Sequence, residues 1–133
     1  MTYLTLHVAH PARPRRRTRV RFLVDSGATY SFVPEKILRR LGIKPTGVQE
    51  FELANGEAIT RARGTALFYH GSDEGASPVV FAREGDSTLL GVVTLECLGK
   101  ALDPVRRKLV PLKLIVAGAG AKPDRIMAHP DPA

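Results

Sequence analysis

The sequence predicts an all-β domain with one or two short helices. Short apolar runs recur at near-regular spacing and are separated by glycine, proline, asparagine and aspartate, which is typical of a small barrel or sandwich. The chain has 133 residues, which suits one domain, and 44% of them are apolar, which suits a packed core. A formal charge of +7 favours contact with acidic partners but does not define a site.

No feature of the sequence predicts a membrane-spanning or secreted protein. Apolar runs fall short of the roughly 18 to 20 residues that span a bilayer, and residues 1–7 lack the pattern of a signal peptide. The single Cys97 allows no disulfide within the chain, which fits a reducing compartment. We therefore expect a cytoplasmic protein without a membrane partner, in which Cys97 is a small core residue.

The first two predicted strands form a hairpin around a basic loop. Residues 4–9 alternate between apolar and polar, and residues 18–24 resume this pattern after two prolines and four arginines in residues 10–17. The arginines are either a nucleic-acid contact or a solvated hairpin tip. No aromatic residue interleaves with them, so we favour the solvated tip and do not expect a nucleic-acid partner.

A single carboxylate follows the second strand. The apolar residues 22–24 read as a buried strand, and Asp25, Ser26 and Gly27 come directly after it. Burying a carboxylate is costly unless it is hydrogen-bonded, and the nearest donors are Ser26 and the amides of the turn. Gly27 allows the chain to turn sharply here. This loop is the strongest candidate for a functional site.

The middle of the chain alternates between strands and turns. Residues 30–33 are strand-like, and residues 34–42 predict a helix of about two turns, with proline at its start and glycine at its end. Strands over 48–53 and 58–62 flank the Asn55-Gly56 dipeptide, a strong hairpin signal because both residues tolerate positive φ. Two further strands, 64–70 and 78–82, enclose a turn.

The last part of the chain predicts a strand, a helix and another hairpin. Residues 88–91 form a short buried strand ending in Gly91, residues 92–99 have helical spacing, and residues 101–111 read as strand, turn and strand. We place the domain at residues 1–112. Residues 113–133 are expected to add a C-terminal strand and a loosely ordered tail, because glycine, alanine and proline dominate after residue 116.

These motifs resemble the retropepsin-like aspartic proteases of the small bacterial single-domain type. The matching segments are Leu23-Val24-Asp25-Ser26-Gly27-Ala28-Thr29, Leu53-Ala54-Asn55-Gly56 and Leu89-Leu90-Gly91, in that order. The resemblance spans roughly residues 4–112. It implies a closed acid-protease barrel with one lobe per chain, and an aspartic endopeptidase acting on a peptide or protein substrate.

The resemblance also implies a role for each matching residue. Asp25 is the catalytic carboxylate, Ser26 braces a twin loop through its hydroxyl, and Gly27 supports the loop. Leu89, Leu90 and Gly91 are the structural strand behind the site. The implied substrate-binding residues are Gly27, Ala28 and Thr29 in the loop and Asn55 and Gly56 at the flap that covers the cleft.

The number of acid loops predicts a homodimer. Peptide hydrolysis by water needs one carboxylate to take a proton and a second to donate one. The chain has one Asp-Ser-Gly, and Asp86-Ser87 is followed by threonine, so this segment does not repeat the loop. The second Asp25 must come from another copy, across a twofold axis.

Other functions explain the sequence less well. His70-Gly71-Ser72 is similar to a subtilisin histidine motif, but no glycine-rich serine motif follows it and the chain is too short for that fold. The four histidines and Cys97 lack ligand spacing, so neither a metal nor another cofactor is expected. The remaining alternative is a catalytically silent module that uses the retropepsin fold for binding or dimerisation.

Overall fold

The computed structural model describes residues 1–113, which are mostly β with two short helices, as predicted. The elements in chain order are β1 (Tyr3–His10), β2 (Arg13–Val24), β3 (Ser31–Pro34), α1 (Glu35–Arg40), β4 (Gly47–Glu52), β5 (Ala58–His70), β6 (Asp73–Ala82), β7 (Leu89–Leu90), α2 (Val92–Cys97), β8 (Lys100–Asp103) and β9 (Lys108–Pro111). Neither helix in this part of the chain has the length and apolar character to cross a membrane. The C-terminal strand and tail predicted for residues 113–133 lie, apart from Lys113, outside the described residues.

The sheet contains two parallel strand pairs, β2 with β7 and β3 with β6, and the first of them determines which loops become neighbours at the site. Seven strands form one sheet in the order β1-β2-β7-β3-β6-β5-β4, β1 also pairs with β5, and β8 pairs with β9 separately. Leu23 pairs with Leu89 and Val24 with Leu90, in parallel. Because parallel strands end at the same edge of a sheet, the loop that begins at Asp25 lies beside the start of α2.

The core is built from the inward faces of the strands and one side of each helix. In β2 the buried residues Val20, Phe22 and Val24 alternate with exposed or half-buried ones. The rings of Phe22 and Phe68 pack with their centroids 6.1 Å apart. Burial of these apolar side chains provides the main stabilising free energy of the domain.

Two expectations about the strands are wrong. The arginines do not form a loop: β2 begins at Arg13, the turn is only Pro11-Ala12, and a bulge accommodates residues 14–16 where the register shifts between Ala9 and His10. The segments 58–62 and 64–70 form one strand, β5. Gly64 does not break this strand; it allows close packing, since a Cβ there would lie 3.0 Å from the Lys44 carbonyl oxygen.

The predicted Asn-Gly hairpin is present, with a different turn. Of the two residues in the Asn55-Gly56 dipeptide, Gly56 alone has a positive φ, at 88°. The Gly56 N–H donates to the Leu53 carbonyl oxygen (2.9 Å), and the Leu53 N–H donates to the Glu57 carbonyl oxygen (2.7 Å). The connection therefore spans five residues, with glycine at the left-handed position.

Cys97 is exposed, contrary to the expectation of a core position. It is the last residue of α2, whose buried residues are Thr94 and Leu95. Leu98, the next residue, is 4% exposed. The helical rotation of 100° per residue thus turns Cys97 toward solvent.

Three buried hydroxyl groups connect β3, β6 and α2. The Ser31 Oγ lies 2.5 Å from the Thr94 Oγ1, which lies 2.9 Å from the Ser77 Oγ. Ser77 donates to the Pro78 carbonyl oxygen (3.1 Å), and Ser31 accepts the N–H of Gly91 (2.9 Å). Since each hydroxyl carries one proton, the bonds run from Ser31 to Thr94 to Ser77, and each hydroxyl both donates and accepts.

Replacing Thr94 with valine should destabilise the fold despite the nearly equal volume. The substitution leaves the Ser31 proton and the Ser77 oxygen unpaired in the core, which costs about 1 to 3 kcal/mol in the free energy of unfolding. Urea denaturation measures the change. The control Thr65→Val, at an exposed position of β5, should change this free energy by less than about 0.5 kcal/mol. Equal losses in both variants would contradict a role for the hydroxyl chain.

Candidate active site

Asp25 is held at the end of β2 by backbone hydrogen bonds. Its N–H donates to the Leu90 carbonyl oxygen (3.0 Å), and its carbonyl oxygen accepts the N–H of Ala28 (3.1 Å). The carboxylate Oδ1 accepts the N–H of Gly27 (2.9 Å). A Cβ on Gly27 would lie 3.3 Å from this oxygen, so glycine leaves the carboxylate room to turn back onto its own loop. Of the donors predicted from the sequence, a turn amide is used.

The first turn of α2 fixes the other half of the loop. The N–H groups of Val92 and Val93 donate to the carbonyl oxygens of Ala28 (2.9 Å) and Thr29 (3.0 Å). Such amides have no partner within a helix, so the loop satisfies them. Gly91 makes this contact possible, because a Cβ there would lie 2.6 Å from the carbonyl group of Tyr30. The loop and the helix therefore hold each other in place.

A cleft of about 880 Å³ opens beside Asp25. The acid loop forms one wall, and the flap hairpin, which we define as residues 47–63 of β4, β5 and their connection, forms the opposite wall. The predicted site residues that line the cleft are Asp25, Gly27, Ala28, Thr29 and Leu89. The cleft lining does not include Ser26, Leu90, Gly91, Asn55 or Gly56. Leu90 is fully buried behind the loop, and Ser26 is exposed.

Both polar atoms of the Asn55 side chain form hydrogen bonds within the turn at the flap tip. Its Oδ1 accepts the Glu57 N–H (2.9 Å), and its Nδ2 donates to the Glu57 carboxylate (2.5 Å). The neighbouring Leu53 and Ala54 line the cleft instead. The substrate contact of Asn55 and Gly56 therefore stays a prediction.

Sequence reasoning missed the contacts that attach the flap hairpin to the rest of the site. Arg61 makes two hydrogen bonds to Asp86, from Nε to Oδ2 (2.7 Å) and from Nη2 to Oδ1 (3.0 Å). The Phe32 and Phe51 rings pack with their centroids 5.1 Å apart. Because side chains alternate along β5, the sequence predicts that Arg61 faces the same side as Ile59. No local pattern in the sequence identifies Asp86 as the partner of Arg61.

Charge pairing shifts the pKa of both partners in this ion pair toward the charged form. The hydrogen bond from Arg61 is the main cause that lowers the pKa of Asp86 from its ordinary value of 3.8, and the Arg83 N–H contributes. The same hydrogen bond raises the pKa of Arg61. The side chains are only 14% and 16% exposed, so solvent screens the pair less than a surface pair. Asp86 is therefore an ionised carboxylate that is held by Arg61 and lines the same cleft as Asp25.

The described residues contain no group of three or more His, Cys, Asp or Glu side chains that could hold a metal ion. The groups that line the cleft include carboxylates, backbone groups and apolar side chains. Carboxylates are side chains that can both take and donate protons.

Comparison with known families identifies the family of the chain from more than half of its length. A family model described as aspartyl protease matches residues 16–92, more than half of the chain. The matched segment begins in β2, contains the acid loop and the flap hairpin, and ends at the first residue of α2. A comparison with curated proteins found no match.

Removing the Asp86 carboxylate should change how stability depends on pH. At pH 7 the wild type should exceed Asp86→Asn by about 1 to 2 kcal/mol in the free energy of unfolding, because a charged hydrogen-bonded pair is lost. The folded-state pKa of Asp86 lies below the unfolded value, so this advantage is present above about pH 4 and fades as the pH falls through the folded-state pKa.

Urea denaturation at pH 7, 5, 4 and 3 measures this difference. The other carboxylates titrate in both proteins and cancel in the comparison. Glu52→Gln, at an exposed position of β4, serves as the control and should show a small, pH-independent difference. A constant gap between wild type and Asp86→Asn from pH 7 to pH 3 would contradict the assignment.

Proposed function

The chain belongs to the aspartyl protease family, and on that premise we propose that it is an aspartic endopeptidase that works as a homodimer. The observation that carries the proposal is the placement of Asp25. Its carboxylate is fixed by the Gly27 amide and lines a cleft large enough for a peptide segment. We further propose that the sheet, in which β1 also pairs with β5, is the one-lobe retropepsin barrel of residues 1–112.

The second catalytic carboxylate comes from a second copy. The other aspartate that lines the cleft, Asp86, is bound at both oxygens by Arg61 and is unsuited to take or give a proton. The cleft is also lined by Glu50 and Glu52, but both lie at exposed positions of β4 on the flap hairpin and not in the acid loop, so we do not assign the second carboxylate to them. Ser26 supports the same arrangement, because its exposed hydroxyl has no hydrogen-bond partner within residues 1–113 and can brace the loop of the other copy.

The two Asp25 carboxyl groups divide the work of hydrolysis. One, ionised, takes a proton from water as the water oxygen attacks the peptide carbonyl carbon, while the other, protonated, donates a proton to the carbonyl oxygen. The tetrahedral intermediate then collapses: the C–N bond breaks as the nitrogen takes the proton that the first carboxyl group received from water, and the carbonyl reforms as one hydroxyl of the intermediate gives its proton to the other, ionised carboxylate. The pair is then left with one proton, as at the start. Two close carboxyl groups sharing one proton are suited to these roles.

The walls of the cleft support a peptide substrate. Phe32, Phe51, Ile59 and Leu89 present apolar surface, and the exposed backbone of the loop can pair with an extended chain. A silent binding module would keep this cleft and the Asp25–Gly27 hydrogen bond but would not turn over substrate. Activity measurements separate the two functions.

Peptidase activity should depend on protein concentration. Each chain holds half of the catalytic pair, so the cleavage rate per chain of a mixed peptide library should fall in proportion to concentration below the dimer dissociation constant. Analytical ultracentrifugation over the same range gives that constant independently. A strictly monomeric sample that cleaves at an undiminished rate per chain would overturn the mechanism.

Asp25→Asn should lower turnover at least about 10²-fold, because a dimer of this variant lacks both ionisable groups. The dimer should remain, since the amide oxygen can still accept the Gly27 N–H. Mixing a tenfold excess of the variant with wild type should reduce the rate per wild-type chain to about one tenth, because about ten of every eleven wild-type chains then pair with a variant chain in a one-acid dimer. Asp73→Asn, at the start of β6, is the matched control and should retain full activity. An active Asp25→Asn would refute the proposal.

A further inference from the structure

The charge of the chain is concentrated in one hairpin. We call β1, β2 and their turn, residues 3–24, the basic hairpin. It holds six arginines and no aspartate or glutamate, and the rest of the chain has 14 Lys and Arg against 13 Asp and Glu. Nearly all of the +7 therefore resides on this one element. Such an asymmetry is the electrostatic footprint of a polyanion-binding surface.

Arg17, Arg19 and Arg21 form a row on the outer surface of the hairpin, and Arg15 and Arg16 lie in the bulge beyond its end. All six arginines of the hairpin are exposed. Because side chains alternate along β2, Arg19 and Arg21 face outward while Val20 and Phe22 lie in the core. Successive outward residues are about 6.8 Å apart along a strand. Within residues 1–113 none of the six arginines forms a salt bridge. Their charge is therefore available to a ligand.

Aromatic rings support two of these arginines. The Arg17 guanidinium lies 3.6 Å from the centroid of the Tyr69 ring, and its Nε donates to the Pro14 carbonyl oxygen (3.0 Å). The Arg21 guanidinium lies 4.1 Å from the centroid of the Tyr3 ring, which is 46% exposed. The rings are distant in sequence and reach the arginines through the pairing of β1 with β2 and β5.

We propose that the outer face of the basic hairpin binds single-stranded nucleic acid. Guanidinium groups match phosphate with paired hydrogen bonds, and stacking holds two of them in place before binding. Tyr3 offers a partly exposed ring on which a base can stack. An anionic membrane fits less well, because Tyr3 is the only large hydrophobic residue exposed on the hairpin and no apolar row is present to insert.

This surface is separate from the peptide cleft. No arginine of β2 lines the cleft, so binding of a nucleic acid requires neither Asp25 nor the catalytic pair. The proposal therefore stands or falls independently of peptidase activity, and Asp25→Asn should bind an oligonucleotide as the wild type does.

Fluorescence anisotropy with labelled 20-nucleotide oligo-dT and oligo-U tests the proposal on the full chain between 50 and 200 mM salt. The variant Arg15→Gln/Arg16→Gln/Arg19→Gln removes three exposed arginines and leaves both stacked pairs intact. It should bind at least about tenfold more weakly at 50 mM salt, and the slope of log K against log salt should fall by about 2. The two oligonucleotides distinguish DNA from RNA as the preferred strand.

A control with the same net charge separates location from overall charge. Arg40→Gln/Lys44→Gln/Lys108→Gln removes three exposed charges outside the hairpin and should lose less than about a third of the salt slope that the hairpin variant loses. Thermal unfolding checks that each variant is folded. If the triple hairpin variant does not fold, Arg15→Gln/Arg16→Gln, confined to the bulge, should lower the slope by about 1.

Tyr3→Leu distinguishes nucleic acid from other polyanions. Loss of base stacking should weaken oligonucleotide binding about fivefold or more, with an unchanged salt slope. Three results would overturn the proposal: no oligonucleotide binding at 50 mM salt, equal losses in the hairpin variant and the charge-matched control, or sedimentation with phosphatidylserine vesicles without oligonucleotide binding.

Discussion

The site depends on the parallel pairing of β2 with the two-residue strand β7. This pairing places the Leu90 carbonyl oxygen opposite the Asp25 N–H, and it brings Gly91 against the backbone of Tyr30. At 2.6 Å from a would-be Cβ, no side chain fits at position 91 without displacing the acid loop. Two consecutive leucines and a glycine therefore do more than fill the core: they set the position from which the carboxylate projects into the cleft.

The two walls of the cleft are held by different forces. Buried groups fix the acid loop, through the hydroxyl chain from Ser31 to Ser77 and the first amides of α2. Partly buried contacts, the Arg61–Asp86 pair and the packing of Phe51 on Phe32, attach the flap hairpin, and the residues at the tip of the hairpin are exposed. The hairpin tip makes no buried contact among the described residues, so the wall that carries Asp25 is the more rigid one and the hairpin is the wall that can open more easily.

Sequence reasoning succeeded where the determinants are local and failed where they are long-range. Both helices, the hairpin at Gly56 and the strand behind Asp25 follow from periodicity, turn residues and the acid-loop motif. The partner of Arg61 does not, because Asp86 lies 25 residues away in a loop without periodicity. The rings beneath Arg17 and Arg21 were likewise hidden, since antiparallel pairing brings Tyr69 and Tyr3 to them across strands. The apparent absence of aromatics was a property of the linear sequence and not of the folded surface.

Strand β2 links the two proposed functional surfaces of the chain. The strand begins in the arginine row and ends at Asp25, so a single rigid element joins the proposed nucleic-acid surface to half of the proposed catalytic pair. In the proposed mechanism the site is complete only when two chains meet, and chains held on one polyanion meet at a higher effective concentration than chains in solution. The basic hairpin would then promote assembly without contacting the cleft. In that arrangement the charge asymmetry of the chain and its single acid loop serve the same end, which is to make activity depend on where the chains are gathered.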